Sequence, residues 1–273
     1  MSTIVILYSE LAEYVVNCIN LLASKNRVTV IHWPINAEAP FKLKFNAAIT
    51  TYSRDTLSSS QIQMLLFEIS PSVVLVTGWI DKGYLKALNN QPNIKTRVLL
   101  MDTAWYGSLK QRIGLIVLRP VVKGLFSHAF VSGNKQAIYA DKLGVKSNSI
   151  FKGHYTANVG HFNSIYFQKE NKRHSHKILY LGRYVKHKGI FELWEAFNEI
   201  ITENEDLKHW ELICAGTGNQ WDNRMSHPNI KHLGFVQPSE IEPIINESSF
   251  YILPSHFEPW GVSVHEMAAA GLP

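Results

Sequence analysis

Two glutamates with seven residues between them, Glu258 and Glu266, frame a Gly-containing turn in the stretch "FEPWGVSVHEMAAAGLP", residues 257–273. Carboxylates accept hydrogen bonds from hydroxyl groups, often two at once. A helix that starts near Gly261 also offers unpaired backbone N–H groups to an anion. At ~1.5 Å rise per residue, Glu266 stands roughly 7 Å along the axis from the helix start, beyond Glu258 on the preceding loop. The pair therefore fits two parts of an extended, hydroxyl-bearing ligand. The plainer alternative is a dipole-favoured acid at a helix start together with a surface acid.

Two further stretches carry related chemistry. "LGRYVKHKG" sets Arg183 and Lys188 on one turn, a planar fork of donors beside a point charge, which suits two phosphates. Two solvated surface cations are the competing reading. "CAGTGNQ" pairs Gly216 with Gly218, which lets backbone approach a ligand closely, although an ordinary tight turn explains a lone Gly-x-Gly equally well.

All three stretches follow apolar runs that read as strands, and open parallel sheets bind ligands at the carboxyl ends of their strands. In the second half the runs are 177–182, 210–216, 230–235 and 250–254, with helices over 191–201 and after Ser239. Phe191, Trp194, Phe197 and Ile201 form a core stripe at helical spacing. In the first half, strands are expected at 3–8, 27–33, 72–77, 96–101 and 128–132, with helices near 11–24, 58–69, 80–89, 108–118 and 134–143. This alternation predicts two doubly wound α/β domains with parallel sheets, over 1–160 and 177–273, joined by a polar linker at 161–176. With 46% hydrophobic and 18% charged residues, the 273-residue chain has material for sizeable cores.

Together these motifs resemble the nucleotide-sugar domain of retaining group 1 (family 4) glycosyltransferases, which have the two-lobed GT-B fold. The resemblance covers 177–273. It rests on Gly182-Arg183 and Lys188-Gly189, on Gly216 and Gly218, and on Pro254, Ser255, Glu258, Gly261 and Glu266, with Trp260 in place of the usual Phe. It implies transfer of a hexose-type sugar from a nucleotide diphosphate to a glycan or lipid-linked glycan, as in bacterial surface polysaccharide synthesis. Arg183 and Lys188 would hold the diphosphate, Glu258 the sugar and Glu266 the ribose. Phe235 and Val236 would lie beside the base, and Gly182, Gly261, Val262 and Ser263 would complete the donor site. Neither a metal nor a cofactor is expected, and no nucleic-acid partner. The resemblance also implies further strands and helices after Pro273, so that the second lobe is C-terminally truncated. A fragment that binds nucleotide sugar without transfer, and an epimerase or hydrolase of the same fold, are the alternatives. A dinucleotide-dependent dehydrogenase is disfavoured because no G-x-G-x-x-G follows the first strand.

The first half matches less well. The glycine-rich loop usual after the first strand reads "LYSELAE" here, and Asp102 stands near the place where many members carry a histidine. Asp102 reads as a sugar or acceptor contact, or equally as a loop acid or helix cap. Trp79, Trp105 and Tyr106 follow strand ends and read as a stacking platform for an acceptor or as packing. "QRIGLIVLRPVVKGLFSH" mixes apolar residues with Arg112, Arg119 and Lys123. It reads as an interfacial segment for acidic lipid, or as a buried helix broken at Pro120. No run is long enough to span a bilayer, and two distant cysteines argue for a reducing compartment. The expected location is the cytoplasm, at the inner face of the membrane.

Overall fold

The computed structural model describes residues 1–89, 91–168 and 175–273, which divide into two compact units. The first comprises Met1–Ile35 and Leu43–Tyr155; the second comprises Asn36–Lys42 and Thr156–Pro273.

The first unit is built on a seven-stranded, wholly parallel sheet ordered β3-β2-β1-β4-β5-β6-β7. Its strands are β1 (Thr3–Tyr8), β2 (Arg27–His32), β3 (Thr50–Ser53), β4 (Val73–Thr77), β5 (Thr96–Met101), β6 (His128–Val131) and β7 (Ile150–Lys152). The helices are α1 (Glu13–Ala23), α2 (Ser59–Ile69), α3 (Lys82–Leu88), α4 (Leu109–Leu125) and α5 (Asn134–Lys142). Val5 and Leu7 face one apolar cluster, while Ile4 and Ile6 face another, so the sheet is covered on both sides. α2 starts on a capping box in which Ser58 and Gln61 satisfy each other's backbone N–H groups. The short edge strands β3 and β7 go beyond the sequence expectation, since runs of four and three residues carry too little pattern to read.

α4 also departs from expectation. It is not broken at Pro120 but continues to Leu125. A proline removes the N–H that would bond the carbonyl four residues back, here that of Ile116. Ile116 lies on the exposed face of α4, where water can take that bond.

The second unit holds a four-stranded parallel sheet ordered β10-β9-β8-β11, from β8 (Lys177–Leu181), β9 (Glu211–Ala215), β10 (Ile230–Gly234) and β11 (Phe250–Tyr251). Around it lie α6 (Val159–Gln168), α7 (Ile190–Glu203), α8 (Glu242–Asn246) and α9 (Val262–Ala269). The stretch expected as a linker, 161–176, opens inside α6, whose Phe162 and Ile165 are buried in the second unit's core. Residues 169–174 of that stretch lie outside the described residues. Along α7 the buried stripe is Ile190, Leu193, Trp194, Phe197 and Ile201, with Phe191 only partly covered. β11 is shorter than the predicted 250–254, because Pro254 cannot donate to a ladder and the chain turns there toward α7.

Candidate donor site

Strand order decides where the second unit can bind a ligand. From β8 the chain winds outward through β9 to β10, then returns to the other side of β8 with β11. The loops after β8 and β11 therefore diverge at a topological switch point, which leaves a crevice at the carboxyl ends. Arg183 and Lys188 stand on the first loop, Ser255 and Glu258 on the second, and Gly216 and Gly218 follow β9.

Buried tyrosines hold this framework. Burial keeps the Tyr180 hydroxyl well above its ordinary pKa, so it stays protonated and donates to the Arg183 carbonyl at 2.9 Å. The Tyr184 N–H donates to Thr217 O at 2.9 Å, and the Tyr184 carbonyl accepts from Gln220 N–H at 3.0 Å, which ties the β8 and β9 loops together. Tyr251, also raised chiefly by burial, donates from its hydroxyl to Ser263 Oγ at 2.8 Å at the start of α9.

Two glycines are required by close approach. A Cβ on Gly216 would lie 1.9 Å from the Gly182 carbonyl oxygen, and one on Gly189 would lie 2.2 Å from that of Pro254. Gly189 has φ of 67°, a left-handed value that costs any other residue energy. It ends the short 3-10 turn Lys186–Lys188 and opens α7, so the basic loop is held directly against the β11 loop. Gly261 caps the N-terminus of α9, with Val262 and Ser263 in its first turn and Glu266 one turn further along.

Within this frame Lys188 Nζ and Glu258 Oε2 form an ion pair at 2.5 Å, and Ser255 Oγ donates to the same carboxylate oxygen at 3.1 Å. Sequence reasoning treats Lys188 and Glu258 as separate contacts, to phosphate and sugar; the structure makes them one hydrogen-bonded unit. Burial first, and then the Lys188 and Arg183 cations, hold the His187 imidazole below its usual range, an internal sign that the loop is electropositive.

Residues 36–42, "NAEAPFK", belong to the second unit and were missed by sequence reasoning. Thr217 Oγ1 donates to Glu38 O at 2.5 Å, Gln237 Nε2 donates to Pro40 O at 2.8 Å, and Lys42 N–H donates to Gln237 Oε1 at 3.1 Å. The Phe41 ring meets Phe235 edge-on at 5.0 Å. The Glu38 carboxylate comes to 3.9 Å from Arg183 Nη1, with both side chains close to 40% exposed. This strap thus lies along three parts of the candidate donor site: Arg183, the Gly216–Gly218 turn and Phe235. Val236, next to Phe235, packs on the apolar core.

The first unit carries its own cluster. Asp102 follows β5 and accepts from the Tyr155 hydroxyl at 3.0 Å, while its carbonyl accepts from Gln136 Nε2 at 3.0 Å. Tyr155 is raised well above its usual pKa, by burial first and then by Asp102, so it remains a donor. Asp102 caps no helix. Trp79 and Trp105 both pack on Tyr139, at 5.8 and 5.3 Å, against the first unit's core. That arrangement follows the packing alternative, although both remain partly exposed.

Residues 175–273 match the model of the family Glycosyl transferases group 1. An uncharacterized glycosyltransferase of Methanocaldococcus jannaschii is 28% identical over 142 residues, 49% of this chain and 35% of that protein. The chain spans only 24 to 35% of the length of the curated relatives that it matches. Among solved structures, the sucrose-phosphate synthase of Thermosynechococcus elongatus superposes with a TM-score of 0.68 at 13% identity, covering 98% of this chain and 80% of that one. Anabaena HepE, solved with UDP and glucose, gives 0.67 at 12% identity, covering 98% and 79%. The chain has the GT-B fold, and its residues 175–273 match the glycosyl transferases group 1 model.

Proposed function

We propose that this chain is the part of a retaining glycosyltransferase that binds a nucleotide diphosphate sugar and moves its hexose to a glycan or lipid-linked glycan. The observation that carries this reading is the ion pair of Lys188 with Glu258 at the switch point between β8 and β11, with Arg183 on the same β8 loop, inside the segment that matches the family. Arg183 and Lys188 neutralise the diphosphate, and they stabilise the charge that grows on it as the sugar departs. In this reading two protein cations make a divalent ion unnecessary. Glu258, already anchored by Lys188 and Ser255, accepts from sugar hydroxyls, and Glu266 accepts from the ribose.

The acceptor oxygen forms its bond to the anomeric carbon on the face from which the phosphate leaves. The carbon–phosphate oxygen bond breaks, and the departing phosphate oxygen takes the acceptor's proton. No protein nucleophile is assigned. Asp102, oriented by Tyr155, contacts the acceptor or the sugar. The setting is the inner face of a membrane, in surface polysaccharide synthesis.

Calorimetric titration of this chain with UDP, GDP and ADP tests the donor site. One of the three binds, and Arg183→Ala weakens it about ten- to a hundredfold, as expected for a charge-assisted contact to phosphate. Absence of heat with all three, or binding indifferent to Arg183→Ala, overturns the reading. The relative solved with UDP makes UDP the first choice of probe.

A further inference from the structure

Helix α4 presents two opposite apolar faces. Its inner face is ordinary: Val122 is fully buried and Leu115, Leu118 and Leu125 pack on the first unit's core. On the outer face, Leu109, Ile113, Ile116 and Val117 are 73%, 57%, 76% and 67% exposed. The spacing i, i+4, i+7, i+8 places these four on a single stripe. Arg112, Arg119 and Lys123, at spacing i, i+7, i+11, form a second stripe along one flank, and Lys110 lies on the other. All four cations are exposed, and none joins an ion pair among the described residues.

The charge around this helix is one-sided. Between Asp102 and Asp141 the chain carries Lys110, Arg112, Arg119, Lys123 and Lys135 and no carboxylate. An apolar stripe that covers ~12 Å of the helix axis, beside a row of cations that covers ~17 Å, matches the boundary between acyl chains and anionic headgroups. No helix among the described residues is long and apolar enough to cross a membrane.

We infer that the outer face of α4 is a docking surface for a bilayer rich in anionic phospholipid. Leu109, Ile113, Ile116 and Val117 enter the headgroup boundary while Arg112, Arg119 and Lys123 pair with lipid phosphates. A second protein surface would meet the apolar stripe equally well, but it would give no reason for a cation row without acids. The contact is independent of the donor site, so it is measured without nucleotide and stands or falls apart from the transferase reading.

The test is co-sedimentation of the full chain with vesicles of phosphatidylglycerol and phosphatidylcholine, against vesicles of phosphatidylcholine alone. Binding is expected to the mixed vesicles and to weaken as salt rises. The triple variant Arg112→Glu/Arg119→Glu/Lys123→Glu should reduce partitioning at least about tenfold. Ile113→Asp/Ile116→Asp should reduce it comparably at unchanged charge on the basic stripe. Thermal melts followed by circular dichroism confirm that both variants fold, since the altered side chains are exposed. Equal binding to neutral vesicles, no binding at all, or full retention by either folded variant overturns the proposal. Self-association that is lost in Ile113→Asp/Ile116→Asp, without vesicle binding, reassigns the face to a second copy and also overturns it.

Discussion

The contact between Glu38 and Arg183 sets the most direct test at the residue scale. Arg183 is the cation assigned to the diphosphate, yet a carboxylate from the strap already approaches it at 3.9 Å. Both side chains are well exposed, so the pair is weak and easily screened. Glu38→Gln is therefore expected to tighten UDP binding about two- to fivefold at low salt, an advantage that disappears in 0.5 M sodium chloride. Calorimetry at two salt concentrations reads both effects. Weaker binding instead would make Glu38 itself a ligand contact. Sequence reasoning reached Arg183, Lys188, Glu258 and Glu266 because each stands at fixed spacing from a strand end and a glycine. It had no means of reaching Glu38, which joins Arg183 across a separation of 145 positions in the numbering.

At the scale of elements, the Gly189 turn couples the basic loop to the β11 loop. Gly189→Ala faces both a left-handed φ and a methyl group 2.2 Å from the Pro254 carbonyl oxygen. The 3-10 turn and the start of α7 must shift to relieve it, at a cost of about 1–3 kcal/mol. Urea unfolding should show that loss, and UDP affinity should fall with it because Lys188 is the last residue of that turn, directly before Gly189. A fully stable variant with normal affinity would mean that the loop adapts without strain. The regular elements with long apolar runs, β1, β2, β4, β5 and β8, were all legible from pattern. The two-residue β11, the edge strands β3 and β7, and the continuation of α4 through Pro120 were not. Their extents depend on neighbours: the Pro254–Gly189 contact, the adjacent strand, and solvent at the Ile116 carbonyl.

For the molecule as a whole, acid stability offers a check on the first unit. His154 is half-buried against Tyr155 and Phe130, with its Nδ1 enclosed, and burial pushes its imidazole down to about 3. An unfolded chain binds that proton near pH 6.5, so the folded state is favoured above this value and loses ground as pH falls toward 3. Between pH 7 and pH 5 the loss from this one residue is about 2 kcal/mol. Urea midpoints at the two pH values should differ less in His154→Phe than in the parent chain. An unchanged difference would mean that His154 takes up its proton in the folded state.

Composition, alternation of apolar runs and the order of three short motifs were enough to determine two parallel α/β units and to single out candidate donor-site residues. Those signals are local: side-chain periodicity along a strand or helix, and residue types at fixed offsets from a glycine. Tertiary structure alone decided that Lys188 and Glu258 form one ion pair and that Trp79 and Trp105 share Tyr139 as a packing partner. It also brought residues 36–42 into the second unit and left the apolar stripe of α4 facing outward. Each of these turns on which surfaces meet once the sheets have formed. That is settled by burial and hydrogen bonding between segments far apart in the chain, and spacing along the chain does not encode it.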